Sequence, residues 1–121
     1  MTYPDAIARR QLEKDGRNFE VVIHRPRASE DESDTFFCTW SLVDDHGAVV
    51  TDVTLGGMDG PEALIHVLST IGEYLAKDGF TWHGIPGTGF PRHVDPHNRP
   101  GVVNLNADTE AYLANSLTQS H

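Results

Sequence analysis

Between residues 93 and 97 the chain reads His93-Val94-Asp95-Pro96-His97, two imidazoles and a carboxylate at every second position. Pro96 forbids a continuous helix through them and biases Asp95 towards extended backbone. In an extended segment alternate side chains point the same way, so the three would converge as a two-histidine, one-carboxylate site for a divalent metal such as zinc requires. His83, upstream, is the candidate fourth ligand. No helical His-Glu-x-x-His accompanies this spacing, and a hydrated Pro-rich loop whose polar residues face water accounts for the same residues. The loop reading is the preferred one, and no cofactor is expected.

Other chemistry-bearing residues have equally plain explanations. Gly87-Thr88-Gly89 has the composition of a phosphate cradle, but lacks the strand before and the helix after that would aim backbone amides at a phosphate. Cys38 alternates with Phe36, Trp40 and Leu42 on what should be a buried face, where a thiol is inert. His66 lies within a helical pattern beside polar residues. Asp44 and Asp45 are adjacent in a turn, so their carboxylates diverge instead of sharing a proton.

Charge offers a different kind of function. Nine Lys and Arg against eighteen Asp and Glu give a net charge of −9, which repels nucleic-acid phosphates and anionic membrane surfaces. The easier partner to attract is a basic protein. Glu30, Asp31, Glu32 and Asp34 form an acidic loop, and Asp44 and Asp45 are expected at the same end of the fold, so that together they would steer a cationic partner. A solvated charged face explains such a run as well. A single cysteine excludes an internal disulfide, and no signal-peptide pattern or long apolar run is present, so a cytoplasmic setting is expected.

The elements that must carry these residues are legible up to about residue 78. Residues 7–14 and 17–25 flank Asp15-Gly16, a pair suited to the positive φ angles of a two-residue hairpin turn. Phe19, Val21 and Ile23 share one face of the second strand. After a polar loop over 26–35, Phe36, Cys38, Trp40 and Leu42 line one face of a third strand. Val49, Thr51, Val53 and Leu55 line one face of a fourth. Asp59 is placed to cap a helix with Pro61 in its first turn and Glu62 three residues on. Its stripe is Leu64, Val67, Leu68, Ile71, Tyr74 and Leu75, with a Glu73–Lys77 pair outside and Gly79 as the stop.

The expected fold is therefore α+β: a four-stranded antiparallel meander with one main helix packed on one face, then an irregular Pro/Gly-rich tail ending in a short helix over 107–117. Residues 1–121 make one domain, with 7–78 as its core and 79–121 as an extension. Phe37, Val43, Val22 and Val50 fall on the sheet face opposite the helix, among Thr39, Ser41, Asp52 and Thr54. The tail, a second copy of the chain or another partner could cover that face.

The order of hairpin, acidic loop, two strands, Gly-Gly and the helix Pro61-Glu62-Ala63-Leu64-Ile65-His66-Val67-Leu68-Ser69-Thr70-Ile71-Gly72 resembles a family of small uncharacterised bacterial domains. More loosely it resembles the small acidic immunity proteins that neutralise secreted bacterial toxins. The resemblance covers 7–78 and its motifs are architectural, so it carries no catalytic residue over. It implies a non-enzymatic binding module, and the acidic charge and semi-apolar sheet face make Glu30, Asp31, Glu32, Asp34, Phe37, Val43, Asp44 and Asp45 its candidate partner contacts. The alternatives are a metal-dependent enzyme built on His83, His93, Asp95 and His97, and a structural homodimer.

Overall fold

The structure, a computed structural model, describes residues 5–92, residue 104 and residues 107–119, with 117–119 as backbone. Its first hairpin joins β1 (Ala6–Lys14) to β2 (Arg17–His24). The turn residues Asp15 and Gly16 take φ of +53° and +75°, the left-handed pair that lets two residues reverse a twisted ribbon. Next come β3 (Arg27–Ala28), β4 (Phe36–Val43) and β5 (Val49–Gly57). All neighbours pair antiparallel, and β1, β2, β4 and β5 lie side by side in the expected meander order.

The segment expected to be all loop contains β3, which continues β2 along the same edge of β4 after an interruption at Arg25-Pro26. Proline has no amide to give to the ladder, and the break falls where it stands. A second departure is a bulge opposite Leu42 and Val43. Thr51 pairs with Leu42 but Val49 pairs with Val43, so the faces expected for Val49 and Val50 are exchanged. Val49 lines the outer face with Ser41 and Asp52, while Val50 borders a hollow on the helix side with Leu75 and Phe80.

Helix α1 (Gly60–Leu75) starts where the cap residues place it. Asp59 Oδ1 accepts the Glu62 amide at 2.8 Å, and Glu62 Oε1 accepts the Met58 amide at 2.9 Å. The helix stops at Leu75, four residues before Gly79, so Lys77 lies beyond its last turn. The expected Glu73–Lys77 pair gives way to a contact between Glu73 and Arg92 Nε at 3.9 Å.

One helix, about 10 Å wide, cannot cover four strands spaced about 4.8 Å apart. Helix α1 lies over β4 and β5, and the described part of the tail covers the rest. Phe80 and Phe90 join Leu12, Val21, Ile23, Trp40, Val67 and Ile71 in one core, with Phe80 edge-on to Phe19 at 5.3 Å. The tail is thus less irregular than expected: β6 (Thr81–Trp82) and β7 (Ile85–Pro86) form a small hairpin beside β1. Helix α2 (Ala107–Gln119) then packs against β7. Its large apolar residues Tyr112 and Leu113 are exposed.

The join between tail and α2 is electrostatic. Asp108, buried in the first turn of α2, accepts the amides of Thr88 at 3.0 Å and Gly89 at 3.1 Å through Oδ2, and Arg92 Nη1 at 3.3 Å through Oδ1. The Gly87-Thr88-Gly89 loop is therefore an anion cradle after all, filled by the chain's own carboxylate. A side chain at Gly87, where φ is +100°, would run into that carboxylate.

Candidate functional site

Among the described residues, no helix or tail element packs across the outer sheet face. The described tail lies on the helix side, so it is not the cover expected for that face. Val22 and Val43 are buried, and Arg9, the cross-strand partner of Val22, reaches Glu20 at 2.9 Å to form part of a polar layer over the sheet. Phe37 is half-buried with its ring against Gly56.

The acidic residues expected to act together are divided. Glu30, Asp31, Glu32 and Asp34 precede β4, whereas Asp44 and Asp45 follow it, so a strand about 26 Å long separates the two groups. Arg17, from the first hairpin turn, meets Asp45 at 2.7 and 3.3 Å. That bond and the nearby positive charge hold the Asp45 carboxyl below its ordinary value of 3.8 and raise the Arg17 guanidinium. A depressed carboxylate contributes stability that is present above pH 3.8 and lost as pH falls through its folded value. In a carboxyl NMR titration Asp45 should protonate at lower pH than an unpaired aspartate, and Arg17→Ala should return it to the ordinary range.

The acidic loop keeps its expected exposure. Glu30, Asp31, Glu32 and Asp34 face water, and the loop is shaped by Ser29, whose hydroxyl accepts the amides of Asp31 and Glu32 at 3.2 and 3.1 Å. Beside it, on the outer face, is a hollow of about 350 Å³ lined by Asp5, His24, Arg25, Arg27, Thr39, Ser41, Val49 and Asp52. Arg27 stands opposite Phe37 on that face, and the Arg25 amide donates to the Asp5 carbonyl at 2.7 Å. Neither Arg25 nor Arg27 makes an ion pair among the described residues.

The floor of this hollow is a hydrogen-bonded row from His24 to Ser41 to Asp52. Ser41, only 2% exposed, donates its hydroxyl to Asp52 and lies 3.0 Å from His24 Nε2. A hydroxyl has one proton to give, so with that proton on Asp52 the imidazole must be the donor to Ser41. This order is unlike that of a hydrolase triad, in which the histidine lies between acid and serine and accepts the serine proton. The row ties β2, β4 and β5 together across the face.

Of the expected metal ligands, His93, Asp95 and His97 lie outside the described residues. His83 is exposed on the β6–β7 turn with φ +52°, its ring 5.1 Å from that of Trp82. Among the described residues no three His, Cys, Asp or Glu side chains are grouped so as to hold a metal ion. Cys38 is buried and lies 3.3 Å from the His24 carbonyl, and burial pushes its thiol up. His66 Nδ1 donates to the Gly56 carbonyl at 2.8 Å, tying α1 to β5.

Sequence reading placed Ser41 and Asp52 on the outer face but missed Arg25 and Arg27 as a pair. Their only signal was two arginines flanking Pro26 in an otherwise acidic neighbourhood. No described helix is long and apolar enough to cross a membrane. No protein-family model, no curated protein and no solved structure matches this chain.

Proposed function

We propose that the chain is a non-enzymatic binding module, immunity-like in that a small acidic domain neutralises a protein partner by covering it. The observation that carries this reading is the bipolar end of the sheet: Arg25 and Arg27, without ion-pair partners among the described residues, line a hollow next to the exposed carboxylates of Glu30, Asp31, Glu32 and Asp34. Such an end suits a basic protein surface that also presents one acidic side chain. Long-range attraction to the loop speeds encounter, and the guanidinium groups set the register by a charge-assisted, two-pronged hydrogen bond to the inserted carboxylate. Asp44 and Asp45 are left out of this surface because Arg17 already occupies them.

The non-enzymatic part of the reading is supported by the commitment of the Ser41 proton to Asp52 and by the burial of Cys38. Two probes test the two halves of the surface separately by amide NMR. A capped single-glutamate peptide should shift Arg25, Arg27 and Thr39 at about millimolar concentration, and an Arg25→Ala/Arg27→Ala variant should abolish the effect. Pentalysine should shift residues 30–34, less so in high salt. A second hollow lies at the other end of the face, lined by Arg9, Gln11, Asn18, Glu20 and Asp45 among others; if both probes leave the Arg25 end unmoved, or act equally on that second hollow, the reading is wrong.

A further inference from the structure

The two edges of the sheet are treated differently. On one side β1 is joined by β6 at Glu13, and it carries Arg9, Arg10, Glu13 and Lys14 along its length. Charges and a short covering strand are the usual means of keeping an edge from pairing with another chain. On the other side β5 pairs only with β4 among the described residues, so its second row of amides and carbonyls is open except for the Gly56 carbonyl, which His66 occupies. Val49–Gly57 contains no lysine, no arginine and no proline, and its bulge lies at the start, so that 51–57 run in unbroken register with β4. Val49 and Val50 are 41% and 54% exposed, and the apolar side chains of Met58 and Ile65 are exposed near the helix entry that lies over this strand.

We propose that β5 is the seam of a two-fold homodimer in which the edge strands of two copies pair antiparallel about Val53, joining two sheets into one. The proposal does not rest on the docking reading above, whose charged groups, Arg25, Arg27 and the acidic loop, lie beyond the opposite edge of β4. The occupant is a second copy because the strand is complementary to itself. A two-fold axis at Val53 sets Asp52 of each copy opposite Thr54 of the other and Thr51 opposite Leu55. The one charged residue of the strand then faces a hydroxyl, and no like charges are opposed. Asp52 and Thr54 both lie on the outer face, held by Ser41 and by Thr39 at 2.7 Å, so they enter the seam already oriented.

This register makes opposite predictions for two substitutions at one site. Thr54→Asp places a carboxylate against Asp52 of the other copy, twice per dimer. Thr54→Lys places an ammonium there, also twice. Both lose the same hydroxyl contact with Thr39, and fold stability is measured separately by denaturant titration so that association is compared between folded chains. Sedimentation equilibrium on the intact chain should find a dimer, weakened about tenfold by Thr54→Asp and unchanged or tightened by Thr54→Lys. Amide exchange of the unsubstituted chain supplies a check that needs no variant: protection along 51–57 should rise with protein concentration. A chain that remains monomeric at about 1 mM, a dimer that both variants leave equal, or β5 amides whose exchange ignores concentration would each overturn the proposal.

Discussion

Trp40→Ala should cost about 3–5 kcal/mol, a large share of the stability of a domain this size, and should lower the denaturant midpoint without changing the slope. Trp40 is fully buried at the centre of β4, with Ile23 and Val53 as its cross-strand partners and the Tyr74 ring edge-on at 5.5 Å. Strands on both sides and the helix above keep the site from collapsing, so the volume lost stays as a cavity. Trp40→Phe should be far milder, at about 1 kcal/mol. The indole Nε1 has no hydrogen-bond partner among the described residues, so its removal relieves an unsatisfied donor while most of the ring volume remains. Denaturant titration of the two variants decides the matter: equal losses would mean that ring volume does not set the stability of this core.

The second large effect is expected at Asp108, far from β4. Asp108→Ala leaves the Thr88 and Gly89 amides without their acceptor and Arg92 with Glu73 alone, at a cost of about 2–4 kcal/mol. The loss should be local. Helix α2 touches the rest of the fold mainly through β7 and this carboxylate, whereas Phe80 and Phe90 hold the preceding segment in the core. Hydrogen exchange should therefore accelerate at Thr88, Gly89 and α2 while α1 keeps its protection. Asp108→Asn, which keeps one acceptor oxygen, should fall between. Unchanged protection of the Thr88 and Gly89 amides in Asp108→Ala would show that another group holds the loop.

Residues 15–16 and 59–75 were readable because the forces that shape them are local. Asp15-Gly16 makes a hairpin turn by its own backbone preferences. Asp59, Pro61 and Glu62 start the helix through bonds within four residues. The alternation in β2 and β4 marks the buried face for the same reason, since the side-chain period of a strand is a property of the chain itself. Composition also suffices to make the protein strongly acidic.

What the sequence could not reveal depends on partners distant along the chain. The bulge that turns Val49 to the outer face is a matter of how β5 meets β4, and a one-residue slip leaves no mark in composition. Asp44 and Asp45 are separated from the acidic loop by the length of β4, and Arg17 pairs with Asp45 across a gap of 28 positions. The row from His24 to Asp52 is assembled from three strands, and Asp108 fills a glycine loop twenty residues before it. In each case the deciding bond joins residues brought together only when the sheet and the tail close over the core, which is why local preference and periodicity determined the elements while tertiary packing decided the site.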